Sequence, residues 1–305
     1  MPFTVNPLDY DGAAEVVGLD CSRPLAPDDL AAFWQTFLAY PILAVRDQNL
    51  DAHQQVAFSE QFGKIEDIGN ARYRHPDEPL VLVLSNELGP DGYPIGVADA
   101  GDFLHSDLST RETPSKMTIL QAIVNPSRGG ETEFVNMYRV YDELPDDLRR
   151  AVEGRYAWHH TSKLKNKRVA ISGDRPDAAE LYAKLEQTTP DVRQPVVRTH
   201  PETGRQALYV SPRFTLRIDE MSEAESDELL DRLFAFMREP RFLYRYKWRD
   251  GDLTMWDNRC LTHRATGGYV LPDIRRMHRT SIIGDRAFYD PFVIPSLSRD
   301  SHRLA

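Results

Sequence analysis

From Met117 onward the chain is a succession of short apolar runs separated by turn signals, a pattern that restricts it to a barrel or a sandwich of many small strands. Met117 to Val124 is expected to be a strand, Pro126 to Gly130 a turn, and Glu131 to Val135 the next strand. Pro195 to His200 and Ala207 to Val210 flank Pro201-Glu202-Thr203-Gly204, which reads as a hairpin turn. Phe242 to Trp248, Leu253 to Trp256 and Met277 to Ile283 complete the strand set, with Asp250-Gly251 as a second hairpin turn.

Helices decorate this frame. Leu30, Phe33, Trp34, Phe37 and Leu38 recur at helical spacing after Asp28-Asp29, and Pro41 stops the run. Ile42 to Val45 reads as a buried strand. A second helix is expected from an Asp51 N-cap to Gly63, and Leu80 to Leu84 as a central strand. Tyr138 to Val152 reads as largely helical. Ser222 and Glu225 form a capping box before Leu229, Leu230, Leu233 and Phe234. Two stretches lack a pattern. The Gly/Pro-rich segment 87–102 reads as a lid loop, and the polar segment 163–193 as an irregular insertion. With no internal repeat or interdomain linker, residues 1–305 are expected to form one domain, mainly β with flanking helices, of the jelly-roll type.

Composition excludes several functions. Hydrophobic residues at 41% and charged residues at 28% describe an ordinary globular chain. A net charge of −10 argues against nucleic acid, whose phosphates reward a basic surface. Two cysteines, Cys21 and Cys260, are too few for a disulfide framework. The start has no basic region leading into an apolar run, and no apolar stretch is long enough for a membrane span. A cytoplasmic location is expected.

Chemistry enters with His105-Ser106-Asp107 and the distant His263. Two histidines and one carboxylate can hold one face of an octahedral metal and leave the opposite face open, as in non-heme Fe(II) oxygenases. If residues 105–107 are a strand, the side chains at i and i+2 point the same way. A single His-x-Asp is also common as a surface pair. Asp257 could compete as a ligand, although Asn258 and Arg259 beside it favour a turn or salt bridge. Structural roles are expected for the other histidines: His53 solvated on a helix, His75 in a turn, His159-His160 pointing one inward and one outward, His200 at a turn, His278 facing away from Arg279, and His302 in a tail. Arg275 and Arg279, downstream of His263, offer fixed cations that can grip a carboxylate through two parallel bonds.

Taken together, these residues resemble the taurine dioxygenase and 2,4-dichlorophenoxyacetate dioxygenase family of Fe(II)/2-oxoglutarate oxygenases. Gly129-Gly130-Glu131-Thr132 resembles the family's Gly-Gly-acid-Thr segment. Val197-Arg198-Thr199-His200-Pro201, with Gly204 and Ala207-Leu208-Tyr209-Val210, resembles its central hairpin. Gly251-Asp252, Trp256-Asp257-Asn258-Arg259, His263 and Arg275 through Thr280 resemble its C-terminal signature. The resemblance spans about residues 5 to 289. It implies a double-stranded β-helix with iron at its open end, held by His105, Asp107 and His263. Thr132 would help bind 2-oxoglutarate, and Arg275, with Arg276 as a competitor, would pair with its distal carboxylate. Arg279 would match an arginine lying near an anionic substrate group. The implied reaction consumes O2 and 2-oxoglutarate and releases succinate and CO2.

Arg279 therefore suggests a small anionic substrate. Asn86, after the Leu80–Leu84 strand, and Tyr73, between Arg72 and Arg74, are further candidates for substrate contact. The basic run Lys163, Lys165, Lys167 and Arg168 is either part of a cover over the site or a solvated loop. Lys64-Ile65-Glu66-Asp67-Ile68-Gly69-Asn70 stands where taurine-specific members carry histidines, which puts taurine itself in doubt. Other sulfonates, sulfate esters and carboxylates such as aryloxy acids remain. A natural-product intermediate, hydroxylated or desaturated, is the alternative, followed by a metal-dependent hydrolase or isomerase and a non-catalytic anion-binding barrel. The family resemblance further implies a dimer or tetramer.

Overall fold

A computed structural model describes residues 3–67, 71–98, 101, 103–161 and 189–293. In chain order its strands are β1 (Thr4–Pro7), β2 (Ala13–Val17), β3 (Ile42–Val45), β4 (Leu82–Ser85), β5 (Ser115–Val124), β6 (Thr132–Asn136), β7 (Tyr156–His159), β8 (Val192–Pro195), β9 (Val197–Thr199), β10 (Gln206–Leu208), β11 (Thr215–Ile218), β12 (Leu243–Tyr246), β13 (Leu253–Asp257), β14 (Leu261–Ala265) and β15 (Arg276–Ile283). The helices are α1 (Pro27–Ala39), α2 (Ala52–Glu60), α3 (Met137–Asp142), α4 (Asp146–Val152) and α5 (Glu223–Met237).

Seven strands form one sheet in the order β1-β2-β3-β13-β5-β15-β4. Side-chain alternation gives this sheet two buried faces. On one face Leu43 and Val45 of β3, Met117 and Ile119 of β5, and Leu253 and Met255 of β13 join Phe33 and Phe37 of α1 and Phe58 of α2. On the other, Ile42, Ala44, Leu120, Ala122, Trp256 and Met277 share a core with Phe134 and Val135 of β6 and Leu261 of β14. A strand buried on both sides needs apolar residues at every position, and β3 supplies them as Ile-Leu-Ala-Val. The facing layer holds the three-stranded sheets β12-β6-β14 and β11-β7-β8 and the β9–β10 hairpin. Phe134 and Trp256 meet edge-to-face across the layers at 5.5 Å between ring centroids. This is the expected jelly roll.

The local signals were mostly obeyed. Asp51 caps α2 through a reciprocal box with Gln54, although the helix ends at Glu60, short of Gly63. Ser222 and Glu225 cap α5 in the same way. Four expectations need correction. The helical stretch 138–152 is two helices, because Pro145 cannot continue α3 and instead starts α4. Asp250-Gly251 is not a hairpin turn: β12 pairs with β6, whereas β13 pairs with β3 and β5, so the turn carries the chain between layers. Pro195 and Val197 belong to different strands, β8 and β9, in different sheets. Val192 and Arg193, read as the end of an irregular insertion, are the start of β8. Residues 163–188, including Lys163, Lys165, Lys167 and Arg168, lie outside the described residues, as do 99, 100 and 102 of the expected lid. The described part of segment 87–98 folds back on β4, with the Val97 amide donating to the Val83 carbonyl. No helix among the described residues is long and apolar enough to cross a membrane.

Candidate active site

Ligand-forming atoms of His105, Asp107 and His263, all buried, lie within 4.8 Å of one another. His263 sits in the middle of β14, opposite Phe134 of β6. His105 and His263 exchange both backbone hydrogen bonds, at 3.0 and 2.8 Å, as an isolated bridge between distant segments. Residues 105–107 are therefore not a strand as expected. The chain turns at Asp107, and Leu108 adopts a positive φ of 56°. That turn, rather than strand alternation, brings the carboxylate to the histidines: Asp107 Oδ1 is 3.6 Å from His105 Nε2, and Asp107 Oδ2 is 3.8 Å from His263 Nε2.

The protonation states suit a metal. His105 Nδ1 lies 2.8 Å from the Phe103 carbonyl oxygen, which can only accept, so Nδ1 carries the proton and Nε2 presents its lone pair. Burial, together with His105 and Arg279, pushes His263 down to about 3, so it is neutral at physiological pH. Burial alone would raise the Asp107 carboxyl. The Arg279 guanidinium beside it, with the two adjacent imidazoles, more than offsets this and holds the group well below the carboxylate range.

A second element of the site faces the same cavity, which is lined by Leu84, Thr132, Trp256, Arg275 and Arg279 beside the two histidines. Gly129 and Gly130 both have positive φ, and a Cβ on Gly129 would sit 2.6 Å from the Gly267 carbonyl oxygen. The tight turn they allow delivers Thr132 to the start of β6 and presents the Gly130 carbonyl to Arg275 Nε at 3.1 Å. Trp248 Nε1 donates to Thr132 Oγ1 at 3.0 Å, so the hydroxyl retains its own proton for an acceptor in the cavity. Arg275 is 5% exposed and has no carboxylate partner among the described residues. Burial lowers its pKa, and Tyr269, whose ring lies 6.0 Å from the guanidinium, works in the opposite direction. Arg275 precedes β15, and a register shift separates Arg276 from Met277. Arg276 pairs with Glu87 instead.

Arg279, on β15, places Nη2 3.1 Å from Asp107 Oδ1. The Asn86 carboxamide is engaged at both ends, donating to the Asp273 carbonyl at 2.9 Å and accepting from the Arg275 amide at 2.9 Å. It thus holds the segment that carries Arg275. Tyr73 is buried in the core cluster that also contains Leu84, Leu104 and Trp256. Asp257 is paired with Arg259 at 2.6 Å and His200 at 3.1 Å, a structural network as expected. His159 and His160 are both buried, against the expectation of one outward ring. His278 packs against His75. Sequence reasoning missed Thr118, Asn258 and Trp248. Thr118 and Asn258 carry a readable signal, a hydroxyl and a carboxamide placed in otherwise apolar buried strands or their ends.

The family model for taurine catabolism dioxygenase TauD, TfdA family, matches residues 4–281. The chain belongs to this family. Among its relatives, the (S)-phenoxypropionate/alpha-ketoglutarate-dioxygenase of Sphingobium herbicidovorans is 35% identical over 298 residues, 93% of this chain and 96% of that one. The alpha-ketoglutarate-dependent 2,4-dichlorophenoxyacetate dioxygenase of a Burkholderia strain is 33% identical over 260 residues, 82% and 84% of the two chains. The crystal structure of AAD-2 in complex with Mn(II) and N-oxalylglycine superposes with a TM-score of 0.75 at 28% identity, covering 95% of this chain and 100% of that one. This TauD/TfdA-family chain is accordingly an Fe(II)/2-oxoglutarate-dependent dioxygenase. Its residues fit the cofactors: the imidazoles of His105 and His263 and the ionised carboxylate of Asp107 converge, and the buried Arg275 guanidinium, with no carboxylate partner among the described residues, faces the same cavity.

Proposed function

We propose that this dioxygenase hydroxylates a small anionic organic substrate, a carboxylate of the aryloxyalkanoate kind in the first place, with sulfonates and sulfate esters as the neighbouring classes. The observation that carries this reading is Arg279. A guanidinium 3.1 Å from a carboxylate of the metal triad, and on the cavity wall, fixes positive charge beside the reacting centre. The names of the phenoxy-acid relatives point to the same class.

In this reading His105, Asp107 and His263 hold Fe(II). Arg275 binds the distal carboxylate of 2-oxoglutarate, and Thr132 donates its hydroxyl proton to the same cosubstrate. Fe(II) with O2 and 2-oxoglutarate supplies the oxidising power: R–H, O2 and 2-oxoglutarate become R–OH, succinate and CO2. The chain's own work is positioning. Arg279 orients the substrate anion, while Leu84, Leu120 and Trp256 keep that part of the cavity apolar. Asn86 acts through Arg275, and Tyr73 backs the wall from the core. Residues 1–305 serve as one dioxygenase unit, and the free, buried thiols of Cys21 and Cys260 suit a reducing compartment.

Succinate formation under air with Fe(II), 2-oxoglutarate and a panel of aryloxyalkanoates, sulfonates and sulfate esters tests this. Succinate rising well above the substrate-free level with one anionic class supports the proposal. Stimulation by no member of the panel would overturn the anionic-substrate reading.

A further inference from the structure

Asp107 is held by a closed ring of hydrogen bonds whose directions can be read without ambiguity. The Asp107 amide and Trp256 Nε1 both donate to the Asn258 side chain, at 3.2 and 3.1 Å. Two N–H donors converging on one atom require an acceptor there, so it is the amide oxygen, and Nδ2 faces the other way. Asn258 Nδ2 then donates to Thr118 Oγ1 at 2.9 Å. With that lone pair engaged, the Thr118 hydroxyl directs its own proton to Asp107 Oδ2 at 2.6 Å. Thr118, Asp107 and Asn258 are all buried, Thr118 and Asn258 completely. The ring thus ties the backbone of Asp107 and one of its carboxylate oxygens to the same carboxamide.

We propose that Thr118 and Asn258 are positioning residues for the metal: they fix the Asp107 backbone and its Oδ2, and with Arg279 on Oδ1 they hold the carboxylate in one orientation toward His105 and His263. The structural logic is specific to this turn. Asp107 lies outside any strand, next to a residue with positive φ, so no sheet ladder fixes its carboxylate. The registers of β5 and β13 supply the missing restraint, because Asp257 is opposite Met117 and Trp256 opposite Thr118. That pairing sets Asn258, one residue past β13, over the Thr118 hydroxyl. Partners that orient a metal-ligating carboxylate typically change metal affinity about 10- to 100-fold when removed.

The inference rests on the triad being the metal site, and the test separates the two. Mn(II) binding to metal-free protein is titrated by electron paramagnetic resonance, without 2-oxoglutarate or substrate, in the wild type and in Thr118→Val, Thr118→Ser and His263→Ala. Wild-type binding that is lost in His263→Ala establishes the triad. Wild-type binding untouched by His263→Ala overturns both the triad and the clamp. The clamp predicts Mn(II) affinity about 10- to 100-fold weaker in Thr118→Val and restored to within about threefold in Thr118→Ser. Equal affinity in Thr118→Val and wild type overturns the clamp alone, as does a Thr118→Ser loss as large as that of Thr118→Val, which would assign the effect to the methyl group. Should Thr118→Val not fold, Thr118→Ala replaces it in the same comparison.

Discussion

Arg275 is a cation desolvated in the absence of any carboxylate among the described residues, and an arrangement of that kind costs stability until an anion arrives. The reading of Arg275 as the 2-oxoglutarate anchor therefore predicts opposite effects on the two states. Arg275→Met should leave the melting temperature of the cofactor-free protein unchanged or higher. It should raise KM for 2-oxoglutarate roughly 200- to 5000-fold, since breaking a buried ion pair costs about 3–5 kcal/mol. Arg275→Lys should rescue little, because an ammonium cannot reproduce the two parallel donors of the fork. A normal KM in Arg275→Met would remove Arg275 from the cosubstrate site. Asn86 gives a subtler case: among the described residues its carboxamide hydrogen-bonds to the Asp273 carbonyl and the Arg275 amide. Asn86→Ala should raise KM for 2-oxoglutarate about tenfold, in keeping with one or two lost buried hydrogen bonds, and leave KM for the prime substrate nearly unchanged. A selective rise in the substrate KM would instead put Asn86 in contact with substrate.

Elements whose determinants are local were legible in the sequence. The capping boxes at Asp51 and Ser222, the all-apolar β3 and the hairpin around Pro201-Glu202-Thr203-Gly204 each depend on residues a few positions apart. Features set by distant partners were not. His105 and Asp107 share a site because His105 pairs with His263, and nothing in His-Ser-Asp itself announces a turn there. Asp250-Gly251 looks like a hairpin because the residue types suit one, yet the neighbouring layers claim the two flanking strands separately. Alternation counted back from Arg279 cannot place Arg275, because a register shift lies between Arg276 and Met277. The Gly129-Gly130 turn combines both kinds of signal, since its residue types are visible and its purpose, close approach to Gly267, is not. A Cβ at Gly129 meets backbone at 2.6 Å and the φ is +71°, so Gly129→Ala should cost about 1–3 kcal/mol of stability. Because the Gly130 carbonyl receives Arg275 Nε, the same substitution should also weaken 2-oxoglutarate binding. Differential scanning calorimetry and the 2-oxoglutarate KM, measured on one preparation, check both effects. An unchanged KM with lowered stability would detach the turn from the cosubstrate site.

At the scale of the whole molecule, the acid limit of stability should be set by buried neutral histidines before it is set by the carboxylates of the site. Burial pushes His159 down to about 3; among the described residues its two nitrogens meet the hydroxyls of Ser109 and Thr215 and no carboxylate. Burial, with His75 and Arg276, takes His278 down to about 4. In the unfolded chain both would titrate near the ordinary value of about 6.5. Between those limits the unfolded state binds more protons than the folded state, so stability rises with pH there and is lost as pH falls from about 6.5 toward 4. Each unit of difference is worth about 1.4 kcal/mol, so His159 and, to a smaller degree, the less buried His278 together withdraw several kcal/mol over that range. Asp107 and Asp257 are held well below the carboxylate range and stay ionised in the folded state, so they add slope of the same sign only below about pH 5, where the unfolded carboxylates begin to bind protons. His263 contributes in the same direction when no metal is bound. The melting temperature of metal-free protein should therefore be flat above about pH 7 and decline steadily below 6.5, with a shallower decline in His159→Gln. Parallel curves for the wild type and His159→Gln would mean that His159 takes up its proton while the fold is intact, and the account of its buried, neutral ring would have to be abandoned.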